Sequence, residues 1–118
     1  MKTYYKFGEV KRLLEQIEIG KEKVNFRDIF ETGNGGISLL AFERGLRLDK
    51  HLSPAQLMVY VLEGEIEFTM IDKPHILVAD EFILVGKDVP HSVSAIQDSK
   101  VLLIKVHPRH KIHIVKNI

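Results

Sequence analysis

GLRLDKHLSPAQLMVYVLEG, residues 45–64, decides the reading of this chain. It opens on a glycine, runs through Leu46, Arg47 and Leu48 with apolar and charged residues alternating, and reaches a histidine at His51. Ser53-Pro54 follows, a pair that favours a turn. Leu57 to Leu62 is then a β-rich apolar run, and Glu63-Gly64 closes it. Strand, turn, strand and glycine stop within twenty residues predict a β-hairpin-like unit with a histidine at one end.

The same plan continues in both directions. Upstream, Val24 to Phe26 and Ile37 to Phe42 are strand-like, and Gly33-Asn34-Gly35-Gly36 between them is a turn signal, because glycine and asparagine tolerate positive φ. Downstream, Ile66 to Met70, Ile76 to Val78, Phe82 to Val85, Val93 to Ile96, Val101 to Val106 and Ile112 to Val115 recur at short intervals. Many short strands without an intervening long helix predict an all-β sandwich or closed barrel rather than a parallel α/β sheet. One helix is expected, over residues 8–19, where Val10, Leu13, Leu14 and Ile17 fall on one stripe and Gly20 supplies a stop.

Bulk properties narrow the function classes. The chain has 118 residues, which predicts one domain. There is no cysteine, so disulfides, thiolate metal sites and cysteine nucleophiles are ruled out and a reducing cytoplasm is the expected compartment. Seventeen basic residues against 16 acidic ones leave a net charge of +1, without the basic footprint of a nucleic-acid binder. No apolar run approaches the ~20 residues of a membrane helix, and the first residues lack the pattern of a secretion signal. Phosphate loops, Rossmann fingerprints and Ser-His-Asp orders are absent from the sequence.

The second stretch that stands out is ADEFILVGKDVPH, residues 79–91. With Gly45, His51, Glu63-Gly64 and Val89-Pro90-His91 at their observed spacing, the chain resembles a small single-domain cupin over roughly residues 40–106. The resemblance implies an all-β double-stranded β-helix, a jelly-roll barrel with its motif-bearing core at about 37–106 and the short N-terminal helix outside it. It also implies a site in the barrel mouth, which in the family is three histidines and a glutamate around a metal.

Here the family pattern and this chain part. Ser53 stands at the second histidine, Gln56 at the glutamate, Ala79 at the second motif's glycine and Gly86 where a proline is frequent. His51, His91 and Gln56 are therefore the expected metal-ligating set, with Ser53 reaching through water. Such a set carries no negative charge, and a neutral amide oxygen is a poor substitute for carboxylate. A divalent transition ion, Zn, Fe, Mn, Ni or Cu, would be weakly held. If Gln56 points inward, the two-residue period of a strand carries Met58, Tyr60 and Leu62 with it. Ser53, Met58, Tyr60 and Phe82 are accordingly the expected pocket residues, although core packing is the larger expectation for Met58, Tyr60 and Phe82.

Two function classes follow. The first is a metal-capable pocket that handles a small polar molecule such as a sugar or small organic acid; if catalytic, it would be a metal-dependent isomerase, decarboxylase or dioxygenase of the kinds the family contains. The second is a metal-free binding or sensor module in which the same side chains hydrogen-bond a ligand. A homodimer is expected, with Ile112 to Val115 as an added edge strand. His107, His110 and His113 are read as a solvated terminal strand.

Overall fold

Alternation and turn chemistry build ten strands among the described residues, which in this computed structural model are 2–108. They are β1 (Lys2–Thr3), β2 (Asn25–Thr32), β3 (Gly35–Phe42), β4 (Arg47–His51), β5 (Gln56–Glu63), β6 (Glu65–Met70), β7 (Lys73–Val78), β8 (Phe82–Val85), β9 (His91–Ala95) and β10 (Ser99–Val106). All pairings are antiparallel. One sheet has the order β1-β2-β3-β10-β5-β8, the other β4-β9-β6-β7. The expected final strand, Ile112 to Val115, lies outside the described residues, as do His110 and His113.

The two sheets share one core. Leu40, Phe42, Leu57, Val59, Val61 and Val101 come from the larger sheet, and Ile66, Phe68, Leu77, Val93 and Ala95 from the smaller. Each fully buried aliphatic or aromatic side chain contributes about 1.5–3 kcal/mol to folding, so this inter-sheet layer is the main source of stability. The apolar run from Leu39 to Phe42 is explained by β3, which is covered on both faces there. Leu40 and Phe42 face the inter-sheet core, while Leu39 and Ala41 face outward into a second cluster with Ile17. A strand buried on both sides has no polar phase to show.

Ile17 belongs to the segment expected as a helix, and there the structure differs. Only Leu13–Gln16 is helical, as a single 3-10 turn. Arg12 provides no side-chain cap, and Ile17 is already extended at φ −148°. Val10 is 97% exposed and Leu13 and Leu14 are also exposed, so of the expected apolar stripe only Ile17 is buried. A lone helix of about 12 residues is marginal without tertiary burial. The segment is instead held in extended form. Ile17 plugs the outer cluster, Lys100 Nζ donates to the Leu14 carbonyl (2.7 Å), and Asn25 Nδ2 donates to the Glu18 carbonyl (2.8 Å).

Gly64 links the two sheets at the β5–β6 turn. Its φ is +94°, and a Cβ there would collide with the Asp98 carbonyl and the Ser99 hydroxyl. Ser99 is fully buried and ties the turn to β10: its Oγ accepts from Glu65 N (3.0 Å) and donates toward the Gln97 and Glu65 carbonyls (2.7 and 3.1 Å). Gly45 also has positive φ, +88°, but its missing side chain faces open space. Gly64→Ala should therefore destabilise the fold by about 2–4 kcal/mol, from backbone strain plus overpacking, and Gly45→Ala by about 1–2 kcal/mol from strain alone. Equilibrium urea denaturation of both variants checks this; equal losses would refute the collision.

Candidate binding pocket and its histidine pair

His51 and His91 come together through a register shift. Along β4 and β9, Arg47 pairs with Ser94 and Leu48 with Val93; the next pair is His51 with His91. Three steps on β4 match two on β9, so β4 carries one extra residue, a β-bulge. Regular alternation would turn His51 to the face opposite Leu48, because their separation is odd. The bulge cancels that reversal, and Leu48, His51, His91 and Val93 all line one cavity.

The two rings meet edge to face, with centroids 4.3 Å apart and planes at 64°. His91 is 3% exposed and stacks on Phe68 at 5.5 Å. Both rings use the same local device. His51 Nδ1 lies 2.8 Å from the Asp49 carbonyl, and His91 Nδ1 lies 2.9 Å from the Val89 carbonyl, each two residues upstream. A carbonyl oxygen can only accept, so each Nδ1 carries the proton. In the neutral rings both Nε2 atoms are then acceptors. Neither has a hydrogen-bond partner among the described residues, and no buried side-chain nitrogen or oxygen is orphaned.

The cavity is ≈ 370 Å³ and mostly apolar, walled by Leu40, Phe42, Leu57, Val59, Val101 and Leu103. This is within the range of small-molecule sites, about 300–1,000 Å³. Leu52, Pro54 and Phe26 stand at its rim, and Asp28, Ser38 and Lys105 at the end away from the deep apolar wall.

Of the residues expected at the site, His51, His91 and Ser53 reach the cavity. Ser53 Oγ accepts from Ala55 N at 3.1 Å, and its carbonyl accepts from Asp88 N at 2.8 Å, which ties the two motif loops together. Gln56, Met58, Tyr60 and Phe82 do not reach it. The expected inward phase of β5 is corrected by one residue: Leu57, Val59 and Val61 are buried, while Gln56 is exposed and Met58 and Tyr60 are half-buried on the outer face. A one-residue change of phase moves every side chain of a strand to the other face. Tyr60 donates to Asp80 Oδ1 on that outer face, and this bond, with the Asp80 charge, raises the phenol above its ordinary 10.0. Phe82 sits on β8, the edge of its sheet, and is 56% exposed.

Asp28, Ser38 and Lys105 were missed by the sequence reading. Their only trace is that Lys105 continues the alternating row Val101, Leu103, Lys105. The donors present do not match the metal set of the resembled family. Two imidazoles converge, Gln56 is on the far face of β5, and no group of three or more His, Cys, Asp or Glu able to hold an ion forms among the described residues.

Burial pushes the His91 imidazole below its ordinary 6.5; the Val89 carbonyl opposes this, and His51 adds to it. A lowered folded pKa means the unfolded chain takes up the proton first. Stability should therefore fall as pH drops through 6.5 toward the folded value, and the slope ends once both states are protonated. His91→Asn keeps a donor for the Val89 carbonyl but removes the titration. Urea midpoints between pH 7.5 and 5.5 should fall less in this variant than in the wild type; parallel declines would refute the assignment.

Comparison with known proteins comes to the same fold. A search of the curated proteins returns no match. Among solved structures, the chain is similar to a conserved protein of unknown function from Streptococcus pyogenes (TM-score 0.84, 22% identity, 92% of this chain and 97% of that one). It is also similar to a cupin superfamily protein from Desulfitobacterium hafniense (TM-score 0.80, 21% identity, 86% and 93%). A third is an RmlC-like cupin protein from Desulfovibrio desulfuricans (TM-score 0.75, 26% identity, 83% and 95%). The family model described as "Cupin domain" matches residues 39–115, most of the chain, and with the paired histidines and the two facing sheets this places the protein in the cupin family.

Proposed function

We propose that this cupin domain binds a small, largely apolar molecule through a hydrogen-bond-donating group that the His51 and His91 Nε2 atoms accept. The observation that carries this reading is the pair of Nδ1 atoms, each within hydrogen-bond distance of a backbone carbonyl, at a mostly apolar cavity; donation to those carbonyls leaves each Nε2 as an acceptor. A ligand that donates to these acceptors gains hydrogen bonds there while its body gains apolar contact with the walls. The apolar walls shift the ligand class from sugars toward molecules with an aromatic or aliphatic body.

A second reading has one observation in its favour. Histidines that ligate a metal typically donate their other ring nitrogen to a carbonyl or carboxylate, and both rings here do so. With two imidazoles and no carboxylate in the group, an ion would keep several open positions and bind weakly.

One experiment separates the readings. Untagged protein is analysed for metal beside a His51→Ala/His91→Ala double variant, and both are titrated calorimetrically with p-cresol before and after chelator treatment. The expected result is metal well below one equivalent, p-cresol binding unchanged by chelator, and binding weakened roughly tenfold or more in the double variant, the loss of about one good hydrogen bond. Near-stoichiometric metal that disappears in the double variant would instead establish the metal site. An absence of p-cresol binding in the wild type would overturn the pocket reading.

A further inference from the structure

The end of the cavity away from its deep apolar wall holds one charge of each sign. The inward row of β10 runs from buried Val101 through Leu103 to exposed Lys105. On β3, Ser38 pairs with Leu103, and Gly36 pairs with Lys105. On β2, Asp28 pairs with Ser38. Asp28 and Lys105 thus flank β3 from either side, two strand spacings apart laterally and offset by two residues along β3, about 12 Å at the backbone.

The two charges do not neutralise each other. No ion pair joins Asp28 to Lys105, and Lys105 has no ion-pair or side-chain hydrogen-bond partner among the described residues. Asp28 Oδ1 accepts from Ser38 Oγ at 2.9 Å, which orients the carboxylate over β3 and leaves its second oxygen free of that bond. Gly36, beside Lys105, puts no side chain between them. The adjoining groove adds Glu31 on the acidic side.

We propose that this mouth recognises a zwitterion, an amino acid with an apolar or aromatic side chain. Its ammonium is taken by Asp28, its carboxylate by Lys105, and its side chain lies in the cavity between these groups and the histidine pair on the facing sheet. The charge balance is the reason. A simple acid would meet Lys105 but also the repulsion of Asp28 and Glu31, and a simple amine would meet the carboxylates but leave Lys105 without a partner; only a ligand with both charges satisfies both groups. The inference rests on the pocket reading above and names the class of ligand for it.

The test uses four probes that share a 4-hydroxyphenyl group: L-tyrosine, 3-(4-hydroxyphenyl)propionate, tyramine and p-cresol. They are titrated into the wild type and into Lys105→Met, Lys105→Arg and Asp28→Asn, with thermal melts to verify folding. Tyrosine should bind the wild type at least tenfold more tightly than either singly charged probe. Lys105→Met should bring tyrosine down to the level of tyramine, Asp28→Asn should bring it down to the level of the propionate, and Lys105→Arg should keep the preference. A singly charged probe that matches tyrosine in the wild type, or an order unchanged by both neutralising variants, overturns the proposal. If p-cresol binds with dependence on His51 and His91 but the charged ends add nothing, this inference alone falls. If no probe binds, the pocket reading falls with it.

Discussion

One extra residue in β4 organises the site. Between Leu48 and His51 the strand gains a bulge against β9, and this turns His51 to the inner face, directly across from His91. Without that residue, strand geometry would aim the two imidazoles away from each other. With it, the two motif loops meet in register and the rings contact at 4.3 Å. The rest of the cavity is arranged around the pair: Phe68 supports His91 from below, and the Asp88 N–H bond to the Ser53 carbonyl holds the loops at a fixed separation.

Each histidine is oriented by a carbonyl from its own loop, so the tautomer does not depend on a distant partner. This makes the polar end of the cavity an acceptor by construction. Only a group that donates, or a cation, gains by approaching it. The surrounding walls are aliphatic and aromatic, and the structure therefore combines a small acceptor site with a larger apolar volume. The facing sheet adds charge of both signs at the same mouth, on β2 and β10, beside the loop that follows His51. Polarity in this cavity lies at its mouth, with apolar side chains below.

The inner wall of the cavity is itself part of the core that stabilises the barrel. The inter-sheet core runs from Phe42 and Val61 to Ile66 and Phe68, and these are among the most completely buried side chains. The outer face of β3 is sealed by Ile17 from the N-terminal segment, in place of the helix expected there. Gly64 and Ser99 lock the turn between the sheets. Leu40, Phe42, Leu57, Val59, Val93 and Val101 serve both the core and the cavity wall, whereas Asp28, Ser53 and Lys105 line the cavity without belonging to the core.

Composition and turn chemistry alone determined the all-β class, most strand positions and the β2–β3 turn at Gly33-Asn34, and the resemblance to a known family marked the two motifs that contain His51 and His91. These are local or spaced features, and each acts through the backbone of its own segment. What the sequence left undecided was phase. In Gln56-Leu-Met-Val-Tyr-Val-Leu62 both alternating sets are largely apolar, so no hydrophobic pattern says whether Gln56, Met58 and Tyr60 or Leu57, Val59 and Val61 face inward; pairing with β8 and β10 decided it. The same holds for the bulge before His51 and for the meeting of Lys105 with Asp28 and Ser38, which lie more than sixty residues before it. Only tertiary structure could place them, because strand register is set by the partner strands and not by the strand's own residues.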